Sequence, residues 1–380
     1  MSNLPPIPFN RASFEGREHD YLRSALGNGH ISGNGPFTKL CHRWIQERLG
    51  APKVLLTTSC THSLEMCALL LDIKPGDEVI VPSFTFVSTV NAFVLHGAVP
   101  VFADIRPDTL NIDEDRLSEL WSPRTRAIVP VHYAGVACNM DPLLAQARER
   151  NVMVIEDNAH GFLGNFRGRP LGSFGALATM SFHETKNITC GEGGALVIND
   201  PSLAQRAEII WEKGTDRSRF FRGEVDKYGW VDRGSSWLPS DVLAGFLLAQ
   251  LERADEIQFR RRAIFDRYAV ALRLWAQANG VSLPHIPEYC DCAWHMFYLL
   301  MPTPQSRAGL IAHLKERGIL SVFHYQPLHL SPMGVRLGGK RFHCPVTEDV
   351  SERLLRLPFF FALDESAQDR ICEATLSFRP

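Results

Sequence analysis

The sequence predicts an α/β protein: a mostly parallel sheet in a large domain over residues 1–240, then a small α+β domain over 241–380. Two observations predict it. From Lys53 to Asn199 short apolar runs alternate with amphipathic stretches, the pattern of strands joined by crossover helices. After about residue 240 the texture changes to long helical periodicity rich in Arg, Glu and Leu.

Taken in order, Val54-Leu-Leu-Thr57, Glu78-Val-Ile-Val81, Val99-Pro-Val-Phe102, Ala127-Ile-Val-Pro-Val131 and Val152-Met-Val-Ile155 are short and almost wholly apolar, as strands covered on both faces must be. Residues 63–71, 88–96, 113–120 and 141–150 have helical length and spacing. Leu177 to Phe182 and Ala195 to Ile198 read as two more buried strands. The small domain reads as helix from Asp241 through Asn279, strand at Met296 to Met301, helix at Ser306 to Gly318, strand at Leu320 to Tyr325 and a final helical region from Thr347. Ligands of parallel sheets bind beyond the carboxyl ends of the strands, so chemistry is expected there.

Composition narrows the function. Forty Lys and Arg against 42 Asp and Glu leave no basic footprint for nucleic acid or an anionic membrane. Any anionic ligand must be held locally. The first residues lack the basic start and apolar run of a signal peptide, and no stretch approaches the roughly 20 apolar residues of a membrane span; a cytoplasmic protein is expected. Nine cysteines without small-domain spacing suit reduced thiols. Cys290-Asp-Cys292 with His295 lacks C-x-x-C geometry and a second pair, so no metal is expected. Gly27 and Gly29 begin a G-x-G-x-x-G pattern, but Ser32 holds the third position and a helix-like stretch precedes it, which removes the nicotinamide reading.

Four strand ends carry candidate chemistry. Thr57-Thr-Ser-Cys-Thr61 joins a strand to a helix, where free amides and hydroxyls make either an anion site or an ordinary cap. Asp157 ends a buried strand in Glu156-Asp-Asn-Ala-His160; it needs a cation, such as a protonated heterocycle nitrogen, or else caps a helix. Lys186, in Ser181-Phe-His-Glu-Thr-Lys186-Asn, follows a buried strand. Its amine either forms a Schiff base with an aldehyde or pairs with Glu184 or Glu192. Phe86, in Pro82-Ser-Phe-Thr-Phe86, is a core ring or stacks on a planar ligand. Aldehyde capture, pyridinium pairing, phosphate binding and ring stacking are together the needs of pyridoxal phosphate.

These stretches, with Glu192-Gly-Gly194, resemble the DegT/DnrJ/EryC1/StrS sugar aminotransferases along nearly the whole chain. Lys53 to Thr57, Val129 to Cys138, Phe220 to Tyr228 and Ser351 to Pro358 are most similar to the branch that makes 4-amino-4,6-dideoxygalactose nucleotides for enterobacterial common antigen. The resemblance implies the aspartate-aminotransferase fold, fold type I of the pyridoxal phosphate enzymes, and a homodimer with shared sites. It implies that Lys186 holds the cofactor aldehyde, Asp157 the pyridine nitrogen and His160 the ring hydroxyl. Phe86 stacks on the ring, while Ser59, Cys60, Thr61 and Ser181 bind the phosphate. In the wider family an asparagine in a G-x-N pattern reaches that phosphate from the partner subunit; here Gly234-Ser-Ser236 supplies Ser236 instead, with a shorter reach.

The implied substrates are a dTDP-linked 4-keto sugar and an amino-acid donor, glutamate. Related sugar dehydratases carry histidine where Lys186 stands, so the lysine points to amino transfer. Arg217, Arg219, Arg222 and Lys227, with Tyr228, are the candidate diphosphate contacts, or else a solvated basic loop. Tyr325 and His329 are candidates for the sugar pocket, or else core residues. A 3-keto sugar aminotransferase and a cofactor-binding regulatory protein are the alternatives.

Overall fold

A computed structural model describes residues 5–380. The first half runs α1 (Glu18–Gly27), α2 (Pro36–Leu49), β1 (Lys53–Thr57), α3 (Cys60–Leu70), β2 (Glu78–Pro82), α4 (Val87–Val94), β3 (Val99–Ala103), β4 (Thr125–Ile128), α5 (Met140–Glu149), β5 (Met153–Asp157), β6 (Asn165–Phe166), β7 (Arg169–Pro170), β8 (Leu177–Ser181) and β9 (Gly194–Ile198). The rest runs α6 (Ala204–Trp211), α7 (Arg217–Phe221), α8 (Asp241–Glu252), α9 (Ala254–Ala278), β10 (Cys290–Asp291), β11 (Tyr298–Leu300), α10 (Pro304–Glu316), β12 (Val322–Phe323), α11 (Pro332–Arg336), α12 (Pro345–Arg353), β13 (Leu354–Arg356) and α13 (Glu365–Leu376).

Seven strands form the main sheet in the order β1-β9-β8-β5-β4-β2-β3. Pairings are parallel from β8 across to β3, and β9 alone runs against the others. Of the inner strands β2, β8 and β9 are buried at every residue, which is why they read as nearly unbroken apolar runs. The edges are managed differently. Pro100 sits in β3 at one border, the place where a strand tolerates a missing N–H. At the other border the Leu56 amide donates to His42 Nε2 at 2.8 Å and its carbonyl accepts from Trp211 Nε1 at 2.6 Å. Burial pushes the His42 pKa down to about 3, so the ring stays a neutral acceptor.

The expected helix at 113–120 is a short 3-10 helix over Glu114–Glu119. Residues 354–356, expected within a helical tail, form the middle strand of a second sheet, β11-β13-β12. That sheet packs with α9, α10 and α13 through Phe297, Leu299, Leu355 and Ile371. The division expected at residue 240 falls ahead of a helix that belongs to the large layer. Leu247 and Leu251 of α8 share a core cluster with Val54 and Leu56 of β1, and buried Asp241 caps α2 by accepting from the Phe37 and Thr38 amides.

Glu156, inside the quoted motif, is structural. Its buried carboxylate accepts from the amides of Gly172, Phe174 and Gly175 at 2.6 to 2.8 Å and meets His132 Nε2 at 3.0 Å. It thus holds the 172–175 turn under β5. Glu156→Ala orphans three buried donors, and is expected to lower unfolding free energy by roughly 3 kcal/mol; a denaturant midpoint within error of wild type would contradict this.

Candidate active site

Because β1, β2, β5 and β8 are parallel, their carboxyl ends open on the same side of the sheet. There lies a cavity of about 890 Å³ lined by Ser59, Phe86, Asp157, His160, Ser181 and Lys186, with Cys60, Thr61 and Tyr325. The large sheet builds one wall and the small domain the other.

Lys186 lies in the loop joining antiparallel β8 and β9, fixed by turn bonds from Lys186 N to His183 O and from Phe182 N to Gly193 O. Desolvation lowers its pKa from an ordinary 10.5 to about 8, against the pull of Cys60 and Asp157. It makes no ion pair with Glu184 or Glu192 among the described residues; Glu192 instead lies 3.5 Å from His183. With a pKa near 8, about a tenth of the amines are neutral at pH 7. Capture of an aldehyde by the cofactor-free protein should therefore speed up about tenfold per pH unit below 8 and level off above it. Stopped-flow absorbance from pH 6 to 9.5 checks this; a midpoint near 10 would show an ordinary lysine.

Asp157 is buried, accepting from Thr89 Oγ1 at 2.7 Å and from the Ala159 amide at 3.1 Å. No salt bridge holds it among the described residues, and burial raises its pKa. A carboxylate so placed calls for a cationic ligand. Thr89, which the sequence reading missed, positions it.

Ser59 caps α3, its Oγ accepting from the His62 amide at 3.1 Å. The amides of Cys60 and Thr61 at the first two helical positions have no intrahelical acceptor. Gly194 matters here: a Cβ on it would stand 2.4 to 2.6 Å from the Ser59 and Cys60 backbone. Only glycine lets β9 approach this turn. Thr61 Oγ1 lies 2.7 Å from Ser88 Oγ, and Ser181 ends β8 facing the same recess.

His160 stacks on His295 with centroids 4.2 Å apart. Its Nε2 is 3.4 Å from the Tyr325 hydroxyl, and its Nδ1 is buried without a partner. Asn187 Oδ1 meets His295 Nδ1 at 2.9 Å, tying the lysine loop to that stack. His295, weighed in the sequence only beside two cysteines, is thus part of the site. Phe86 caps α4, is 56% exposed and lies 6.4 Å from Tyr325.

His329 does not reach the cavity. It is fully buried, held by Ser83 Oγ at 2.6 Å and Glu348 at 3.1 Å, a satisfied core histidine. Arg217, Arg219, Arg222, Lys227, Tyr228 and Ser236 are not brought to Lys186 within one chain either. Arg222 pairs with Glu208 and Glu224, Arg219 with Glu224, and Arg217 lies over Phe221, while Tyr228 packs on Phe220. Arg217, Arg222 and Ser236 line a separate recess of about 660 Å³ beside Lys39 and Lys53.

The family model described as the DegT/DnrJ/EryC1/StrS aminotransferase family matches residues 13–376. The chain belongs to that family. This DegT/DnrJ/EryC1/StrS aminotransferase is 32% identical over 376 residues to the spore coat polysaccharide biosynthesis protein SpsC of Bacillus subtilis (strain 168), covering 97% of this chain and 96% of that one. Its structure is similar to the aminotransferase TlmJ from Streptoalloteichus hindustanus, with a TM-score of 0.89, 30% identity and 98% of each chain covered. It is also similar to Spr1654 from Streptococcus pneumoniae, a proposed sugar aminotransferase. That protein's PLP form gives a TM-score of 0.89 at 27% identity, with 98% of each chain covered.

The protein is therefore a sugar aminotransferase of fold type I that uses pyridoxal phosphate. The residues present fit that cofactor. Among the described residues the buried Asp157 carboxylate and the Lys186 amine of lowered pKa form no salt bridge, His160 keeps an orphaned Nδ1, and all three line one cavity with the helix N-terminus that Gly194 packs against. No helix of the described residues is long and apolar enough to cross a membrane.

Proposed function

We propose that this aminotransferase moves the amino group of L-glutamate to C4 of dTDP-4-dehydro-6-deoxy-D-glucose. The product is dTDP-4-amino-4,6-dideoxy-D-galactose, for cell-surface polysaccharide synthesis in the cytoplasm. The observation that carries amino transfer is the Lys186 amine, desolvated and without a salt bridge among the described residues, in one cavity with Asp157. The choice of sugar is supported by the stretches Val129 to Cys138 and Phe220 to Tyr228, which resemble the 4-amino-forming branch, and by the polysaccharide role named for SpsC.

Pyridoxal phosphate, when bound, supplies an aldehyde that condenses with amines and a ring that accepts the electron pair left as the donor loses its α proton. Lys186, once its amine is free, is the base for that proton and the acid that delivers one to C4 of the sugar. Its approach to one face sets the configuration of the new amine. Asp157 would hold the proton on the pyridine nitrogen on which that electron acceptance depends. The Cys60 and Thr61 amides, with the Ser59 and Ser181 hydroxyls, hold the phosphate against the α3 dipole. With the cofactor bound, Phe86 would cover the ring and His160 would bind its hydroxyl.

In this reading the enzyme works as a homodimer. The partner subunit's Ser236 reaches the phosphate, and the cations of the 217–228 segment, beside exposed Phe221 and Trp230, approach the sugar diphosphate. Tyr325 stands at the sugar. The test is an absorbance spectrum of purified protein, then glutamate, then a panel of keto sugar nucleotides with product analysis. Bleaching by glutamate and a 4-amino product is the expected result. Amination at C3 would move the assignment to a 3-keto sugar, and bleaching with no sugar product at all would leave the substrate assignment wrong.

A further inference from the structure

The cavity wall opposite the main sheet carries a single arginine, and that arginine pairs with no acid among the described residues. Arg356 occupies the centre of the small sheet, in register with Tyr298 on β11 and Val322 on β12. Leu355 and Leu357 on either side of it are fully buried in the small-domain core. Strand alternation therefore turns Arg356 to the other face, toward Lys186, and it lines the cavity.

Its Nε is buried with no hydrogen-bond partner. The guanidinium lies 4.7 Å from the centre of the Phe9 ring. No ion pair involves it among the described residues, and burial disfavours its charge. Guanidinium stays protonated under all ordinary conditions, and a buried charge left unpaired is costly. Such a group is retained where an anion comes to it. Its field also reaches Lys186, His160, His295 and His324, favouring the neutral form of each, so it stands close to the reacting groups.

The other anions of the reaction have partners elsewhere in the proposed scheme: the cofactor phosphate at the α3 N-terminus, the sugar diphosphate at the 217–228 cations. The donor's carboxylate has none. We infer that Arg356 is the residue that binds a carboxylate of the amino donor, gripping it through two parallel N–H···O bonds and so selecting an amino acid over a simple amine. This rests on the amino-transfer reading above and names its donor site.

The experiment separates the two half-reactions in wild type, Arg356→Gln and Arg356→Lys. The measurements are bleaching by glutamate, and return of the absorbance when the aminated enzyme meets the keto sugar. Arg356→Gln is expected to raise the glutamate concentration for half-maximal bleaching by on the order of 10²-fold. Arg356→Lys, which keeps the charge but not the fork, should fall between it and wild type. The loss should be concentrated in the glutamate half-reaction. Glutarate, a dicarboxylate without an amine, should bind wild type in calorimetry and bind Arg356→Gln at least tenfold more weakly. Should glutamine at 356 prevent folding, the lysine variant carries the same comparison.

Equal use of glutamate by all three proteins would overturn the inference while leaving amino transfer intact. So would a loss that falls mainly on the sugar half-reaction, which would reassign Arg356 to the diphosphate. A wild type bleached by no amino acid would remove the amino-transfer reading, and this donor site with it.

Discussion

Replacing Lys186 by arginine should abolish turnover, with a loss on the order of 10⁴-fold or more, because one side chain serves as nucleophile, base and acid and nothing nearby can substitute. The other amine-bearing or basic groups at the cavity are unsuited. His160, His295 and His324 are all pushed well below the usual histidine pKa by burial, His183 is engaged by Thr185 and Glu192, and the guanidinium of Arg356 gives up no proton. Arginine at 186 keeps the positive charge, so folding and phosphate binding should persist while Schiff-base chemistry does not. The direct check is borohydride treatment followed by peptide mass analysis. Wild type should carry the coenzyme on the peptide containing residue 186, and the variant should carry none. A variant that turns over at the normal rate, or label fixed on another peptide, would defeat the mechanism.

Asp157→Asn is expected to lower the rate of the amino-acid half-reaction by roughly 10² to 10³-fold, the range for removing one electrostatic stabiliser from a dry site. Asparagine is nearly isosteric and can still accept from Thr89 Oγ1, so the packing around it should survive. What it lacks is the negative charge that keeps a proton on the pyridine nitrogen. Without that proton the ring is a poor electron sink, and removal of the donor's α proton becomes the slow step. A deuterium isotope effect at the donor's α position should therefore grow in the variant. An unchanged rate and isotope effect would show that Asp157 is only a buried polar residue held by Thr89 and Ala159.

Much of the fold was legible because a strand covered on both faces must be almost wholly apolar. The runs at 54–57, 78–81, 152–155 and 177–182 lie within or beside observed strands. The same physics exposed Asp157 and Lys186, since ionisable groups at the ends of such runs need a reason to be there. Where periodicity misled, tertiary contacts had overridden it. Residues 354–356 continue a helical pattern, yet pair on both sides as the middle strand of the small sheet. His329 looked like a pocket residue from its neighbours in sequence, but Ser83 and Glu348 satisfy both of its ring nitrogens in the core.

The sequence by itself determined the class of protein, the strands that carry the site and the two charged groups at its centre, because burial leaves its mark residue by residue. Only the tertiary structure decided that Glu156 props a turn while its neighbour Asp157 faces the cavity, that Thr89 and Asn187 position the reacting groups, and that Arg356 alone among the arginines enters the site. These facts depend on which face of a strand meets which partner, and on groups far apart in the chain coming within hydrogen-bond reach. A one-residue change of register would exchange Arg356 with a core leucine while leaving the composition of the segment unchanged.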